Sequence, residues 1–133
     1  MPPKSIDCLI IVRCNDGSYS FYLIELKDVS APSSVKPRDV LPKFETVLFD
    51  FFQSRFPEVF MNPAFELKNL KMWLVTDALK SSKLTEEQYR SKVKGTVLEQ
   101  YNLIKPFKFR GLVATLDVVV PTIEHPVAVI GQC

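Results

Sequence analysis

Asp7, Glu25 and Lys27 are the residues of this chain best equipped to do chemistry. Two carboxylates on one surface can share a hard divalent cation such as Mg²⁺, with Mn²⁺ as a substitute, because such ions take oxygen ligands and keep several waters. The bound cation makes one of those waters a better nucleophile and neutralises charge on a phosphoryl group. A nearby lysine can hold the attacking water or stabilise the developing negative charge. Two acids and a lysine would therefore equip a surface for phosphodiester hydrolysis without histidine. His125 is the only histidine, sits between Glu124 and Pro126, and reads as a loop residue. A triad or dyad needing a histidine base elsewhere is thereby disfavoured. Cys8, Cys14 and Cys133 contain no CxxC pair, which disfavours a Cys/His zinc site. Their odd number argues against a secreted disulfide framework.

These three residues need an element to position them. Residues 6–14 are rich in β-formers, residues 15–18 (Asn-Asp-Gly-Ser) signal a turn, and residues 19–28 read as the returning strand. Alternation puts Phe21, Leu23, Glu25 and Lys27 on one face and Tyr22, Ile24, Leu26 and Asp28 on the other. Whether Asp7 joins Glu25 depends on the turn. A two-residue Asp16-Gly17 turn pairs Cys8 with Glu25 and sends Asp7 to the opposite face. A type I turn through Asn15 and Asp16, with Gly17 left-handed as a bulge, shifts the register by one and sets Asp7 opposite Glu25. Glycine accepts that left-handed position, so Asn-Asp-Gly favours the second arrangement.

The rest of the chain supplies the supporting layers. A helix is predicted from about Arg38 or Leu41 to Phe56, with Phe44, Val47, Leu48, Phe51 and Phe52 on one face and Pro42 in its first turn. Residues 58–69 read as irregular, and residues 70–76 as a buried strand. Thr85-Glu-Glu-Gln88 matches a capping box that opens a second helix, to about Tyr101, with Gly95 weakening its middle. Residues 107–120 suggest a strand or a bent strand pair around Gly111, and residues 127–130 a last short strand. The order predicts an α/β fold: a mixed sheet with an N-terminal hairpin and flanking helices.

Asp7 after Ile6 on one strand, and Glu25-Leu26-Lys27 closing the next, resemble the PD-(D/E)XK superfamily of restriction endonucleases and repair nucleases. The resemblance covers Ile6 to about Phe56. It implies a restriction endonuclease-like core, Asp7 and Glu25 as metal ligands, Lys27 as the catalytic lysine, Mg²⁺ as cofactor and DNA as substrate. Position 6 is Ile where the motif has Pro. With only six residues before Asp7, the expected core lacks the family's usual N-terminal helix, unless later strands or a second subunit fill the gap or the chain is a fragment or degenerate copy.

Further bases could serve a nucleic acid. Lys36, Arg38 and Lys43 flank the loop after Lys27 and could grip phosphates; a solvated helix start is the plainer reading. In residues 105–110, Lys105, Lys108 and Arg110 alternate with aromatics and could stack and neutralise a single strand. A half-buried edge strand gives the same pattern.

The 133 residues suit a single domain with one core, and a net charge of +2 neither requires nor excludes nucleic acid. No stretch has the length of a signal peptide or a membrane span, so the expected setting is cytoplasmic. The helix with Phe44–Phe52 is apolar over much of its girth, which suggests a homodimer or larger assembly. A second expectation follows: a non-catalytic interaction or regulatory subunit whose hairpin acids are structural.

Overall fold

The computed structural model describes residues 5–29, 31–131 and 133. The hairpin forms from β1 (Cys8–Arg13) and β2 (Tyr19–Lys27). Its turn is closed by the Gly17 N–H donating to the Cys14 carbonyl at 3.0 Å, with Gly17 at φ +87°. Asn15 and Asp16 are then the turn's central residues and Gly17 the left-handed bulge. Asp16 reinforces it by accepting from the Ser18 N–H at 2.9 Å and the Ser18 hydroxyl at 2.6 Å. These bonds hold the Asp16 carboxyl down at about 2. Nothing lies within 4 Å of a Cβ added at Gly17, so Gly17→Ala tests backbone strain alone. We expect it to cost about 1–2 kcal/mol in urea unfolding, and an unchanged midpoint would refute the role given to this glycine.

The main sheet runs β1-β2-β3-β6, with β3 at Leu67–Thr76 and β6 at Leu116–Val119. The β1–β2 pair is antiparallel, while β2–β3 and β3–β6 are parallel. A parallel step needs a crossover, and residues 28–66 supply it. The crossover helix begins at Pro37, whose missing N–H costs nothing there. This α1 (Pro37–Glu45) starts earlier than its periodicity suggests, so Pro42 lies inside it rather than in the first turn. From Thr46 to Arg55 the helix widens into a π-helical stretch, closed by the Phe56 N–H on the Phe51 carbonyl at 3.0 Å. An i→i+5 winding rotates the apolar stripe away from a 3.6-residue period. Val47, Leu48 and Phe52 are buried, whereas Phe51, expected on the same face, is 37% exposed. A short α2 (Pro57–Phe60) follows where irregular chain was expected.

The inner face of the sheet carries Phe21, Leu23, Leu70, Met72, Leu74 and Leu116, packed against Val40, Phe44, Val47, Leu48 and Phe52. The Thr85 capping box is complete, and opens α3 (Glu86–Val93). That helix ends before Gly95, at φ +77°, and a 3₁₀ stretch over Val97–Leu103 replaces its predicted continuation to Tyr101. β4 (Phe107–Phe109) and β5 (Leu112–Ala114) form a separate hairpin around Arg110 and Gly111. Residues 127–130 form no strand. Cys14 and Cys133 form a disulfide across 119 positions, which the cysteine count did not anticipate; Cys8 is free. Among the described residues, no helix is long and apolar enough to cross a membrane.

Candidate functional site

Cys8 faces Ile24 in the β1–β2 ladder, so the next step of the register sets Asp7 opposite Glu25. The bulge at Gly17 makes this so. Glu25 and Lys27 follow Phe21 and Leu23 on the inner face by alternation. Glu25 thus enters the core beside Leu74, its neighbour on β3, and is 0% exposed. Asp7 stays at the surface, where one carboxylate oxygen accepts from the Leu26 N–H at 2.8 Å. Lys27 lies beside Thr76 at the carboxyl ends of β2 and β3. In open α/β sheets, the crevice outside the carboxyl ends of the strands is where ligands bind.

Two lysines serve the buried acid. The Lys43 ammonium, from α1, donates to Glu25 Oε2, and the Lys27 ammonium lies 3.7 Å from the same oxygen. The sequence offers Lys43 as a candidate phosphate contact or, more plainly, as part of a solvated helix start; it faces Glu25 instead. It sits next to the buried Phe44 on α1, and that position on the flank of the apolar stripe was the signal available in the sequence. The other oxygen, Glu25 Oε1, is buried without a hydrogen-bond partner. A buried acceptor left bare is costly and marks a place for a proton, an ion or water.

The electrostatics agree with this geometry. Burial pushes the Glu25 carboxyl above its ordinary range, Lys43 pulls it back, and Asp7 pushes it further up. The Asp7 carboxyl moves down, chiefly through the Leu26 N–H, with Glu25, Lys43 and Lys27 contributing. The Lys43 ammonium is held above its usual range by its bond to Glu25. Two neighbouring carboxyls, one shifted down and one up and hydrogen-bonded to each other, form a pair that a shared proton can bridge and a cation could occupy in its place. Mg²⁺ is commonly held by one or two carboxylates with waters completing its shell, so the donor set fits a hard cation. Among the described residues, no group of three or more His, Cys, Asp or Glu side chains could hold a metal.

Tyr101 borders the cluster, a residue singled out by no sequence signal. Its hydroxyl donates to the Val35 carbonyl at 2.6 Å, and burial, with Asp39 and Glu25, pushes its titration upward.

The other bases separate into two groups. Lys36 precedes α1 and Arg38 lies in its first turn, lining a shallow groove with Pro37, Val97 and Gln100. Arg38 stands about 7–8 Å along the helix axis from Lys43. The second group is not brought to the site. Arg110 donates to the carbonyls of Phe60 at 3.3 Å, Asn62 at 3.0 Å and Phe65 at 2.8 Å, and its guanidinium lies 4.2 Å from the Phe65 ring centre. Phe65 packs on Tyr19, the first residue of β2. Glu25 is six residues along that strand, roughly 20 Å away. Lys105 and Lys108 are exposed, while Phe109 points into the core, the pattern of a half-buried strand. Arg110 therefore fastens the chain before β3. We expect Arg110→Ala to lower stability by about 1–3 kcal/mol, read as a lower urea midpoint. An unchanged midpoint would show the three carbonyl bonds to be dispensable.

No family model matches this chain, and no curated protein or solved structure matches it.

Proposed function

We propose that this chain is a restriction endonuclease-like domain that hydrolyses phosphodiester bonds in DNA, using Mg²⁺ held by Asp7 and Glu25. The observation that carries the reading is the bare, fully buried Glu25 Oε1 on the strand opposite Asp7, with two ammonium groups on the other Glu25 oxygen. An ionisable group on a hydrophobic sheet face needs a proton, an ion or a partner to stay there.

The cation, when bound, supplies a more acidic water and a positive charge beside the phosphoryl group. The protein's own residues do the rest. Asp7 and Glu25 orient their oxygens from adjacent strands, a rigid support set by backbone pairing. Lys43 holds Glu25 Oε2, which leaves Oε1 for the ligand. Lys27, partly exposed at the strand end, is placed to stabilise negative charge developing at the reacting phosphate. Lys36 and Arg38 extend the positive charge along α1 toward a DNA backbone.

The test is calorimetric titration with Mn²⁺, paired with nicking of supercoiled DNA in Mg²⁺ or Mn²⁺. Heat of binding at a single site and metal-dependent nicking are expected. Absence of both sinks the proposal.

A second reading rests on a specific observation: Asp7 and Glu25 are balanced in charge by Lys27 and Lys43. A self-neutralised cluster is also what a non-catalytic interaction subunit would retain. That reading expects no response to metal and a stable complex with a partner.

A further inference from the structure

We propose that β1 pairs antiparallel with β1 of a second copy of this chain, about a two-fold axis at Ile10, joining two sheets into one. The inference starts from the sheet edge. β1 is an outer strand, and among the described residues nothing pairs with its outer side. Its sequence from Leu9 to Val12 is four apolar residues in a row, without proline or an inward charge. Monomeric proteins protect such edges with those devices, because an open apolar edge recruits another strand. Ile11 is 48% exposed, and beside it lies an apolar hollow of about 240 Å³ lined by Ile11, Tyr19, Phe21, Val59, Phe60 and Phe65.

The backbone phase limits the registers. The Cys14 N–H donates to the Ser18 carbonyl at 2.8 Å, so Cys14 points toward β2. Alternation then turns Val12, Ile10 and Cys8 toward β2, and Arg13, Ile11, Leu9 and Asp7 outward. A two-fold pairing must match outward residues with outward residues. Centred on Ile10, it sets Ile11 opposite Leu9 and Arg13 opposite Asp7, and it uses the whole strand. Centred on Leu9 or Ile11, it leaves Arg13 without an acid opposite.

Charge complementarity favours this occupant over an unrelated strand. Arg13 is exposed and makes no ion pair among the described residues. Asp7 is exposed at the start of the same strand edge. In the proposed pair, each copy offers the arginine the other lacks, and opposite charges directly across two strands attract. The open edge and Ile11 carry the pairing whether or not Asp7 and Glu25 take a cation; a cation on Asp7 would compete only with the Arg13 pair.

Light scattering after size exclusion, with sedimentation equilibrium, tests it on the full chain. The expected mass is twice the monomer, falling to the monomer for Ile11→Lys at an unchanged circular dichroism spectrum. Arg13→Asp is expected to weaken the dimer, and the double exchange Asp7→Arg with Arg13→Asp to restore it. The register is read by cross-linking in a Cys8→Ser background. Ile10→Cys sits at the axis, where facing Cα atoms approach to about 4.5 Å, and should form an interchain disulfide on oxidation. Val12→Cys should not. A monomeric wild type, a dimer indifferent to Ile11→Lys, or equal cross-linking by Val12→Cys would overturn the proposal. All these readouts are masses, so a failed nuclease assay leaves them unaffected.

Discussion

Reducing the Cys14–Cys133 disulfide, or replacing Cys14 with Ser, is expected to lower the unfolding free energy by about 4 kcal/mol. The bond closes a loop of 119 positions, nearly the whole chain. Cross-linking residues that far apart removes a large share of the unfolded chain's freedom, and in a loop-entropy account the stabilisation grows slowly with loop length. The native side of the balance changes little. Cys14 is 6% exposed, and its sulfur lies 3.6 Å from the Ser20 hydroxyl, a polar setting that serine tolerates. For a domain of this size the loss corresponds to a drop of roughly 15 °C in melting temperature. Thermal melts with and without reductant measure it, with Cys8→Ser as the control that should move by only a few tenths of a kcal/mol. If reductant leaves the oxidised protein's melting temperature in place, the bond contributes nothing. In any reducing compartment the reduced value is the one that applies, because such a bond does not persist there.

The disulfide was illegible in the sequence for a physical reason. Its partners meet because the chain beyond β6 returns to the Cys14 turn, and no local pattern encodes a contact between positions 14 and 133. The hairpin was legible because its information is local. Asn15-Asp16-Gly17 fixes the turn, the turn fixes the register, and the register sets Asp7 opposite Glu25. The same holds for Thr85 and Gln88, whose side chains and backbone N–H groups bond reciprocally over three positions. Phe51 and Lys43 lie between these cases. Both belong to a correctly expected helix, but the π-helical winding around Phe51 and the packing of α1 on the sheet beside Lys43 decided where they point. Lys43 in consequence became a partner of Glu25 rather than a free base. The parallel β2–β3 pairing was left open too, since β-propensity does not specify which strand becomes the neighbour.

Glu25→Gln is expected to abolish DNA nicking and to reduce Mn²⁺ affinity at least about a hundredfold, more than losing an outer partner of a metal ligand costs. Gln keeps the shape of Glu25 and its bond to Lys43 through the amide oxygen, while removing the negative charge a hard cation needs. The fold should survive, and pH dependence shows why. Burial raises the Glu25 carboxyl above its ordinary 4.5, so the folded state favours its protonated form. The stability this contributes is fully present below pH 4.5 and lost as pH rises through the raised value. Gln does not titrate. The variant should therefore gain on the wild type as pH climbs through that window, a trend read from paired urea titrations across the acidic range. Asp7 moves the other way, its contribution present above pH 3.8 and lost on acidification, and part of it comes from Glu25 and changes with the substitution. The comparison thus reads Glu25 together with its coupling to Asp7. If the variant gains stability with pH and the wild type shows no Mn²⁺ binding, the buried carboxyl is a structural residue of an interaction subunit. If the gain comes with metal binding that the substitution removes, the instability of the bare Glu25 oxygen is the cost of holding a cation site ready.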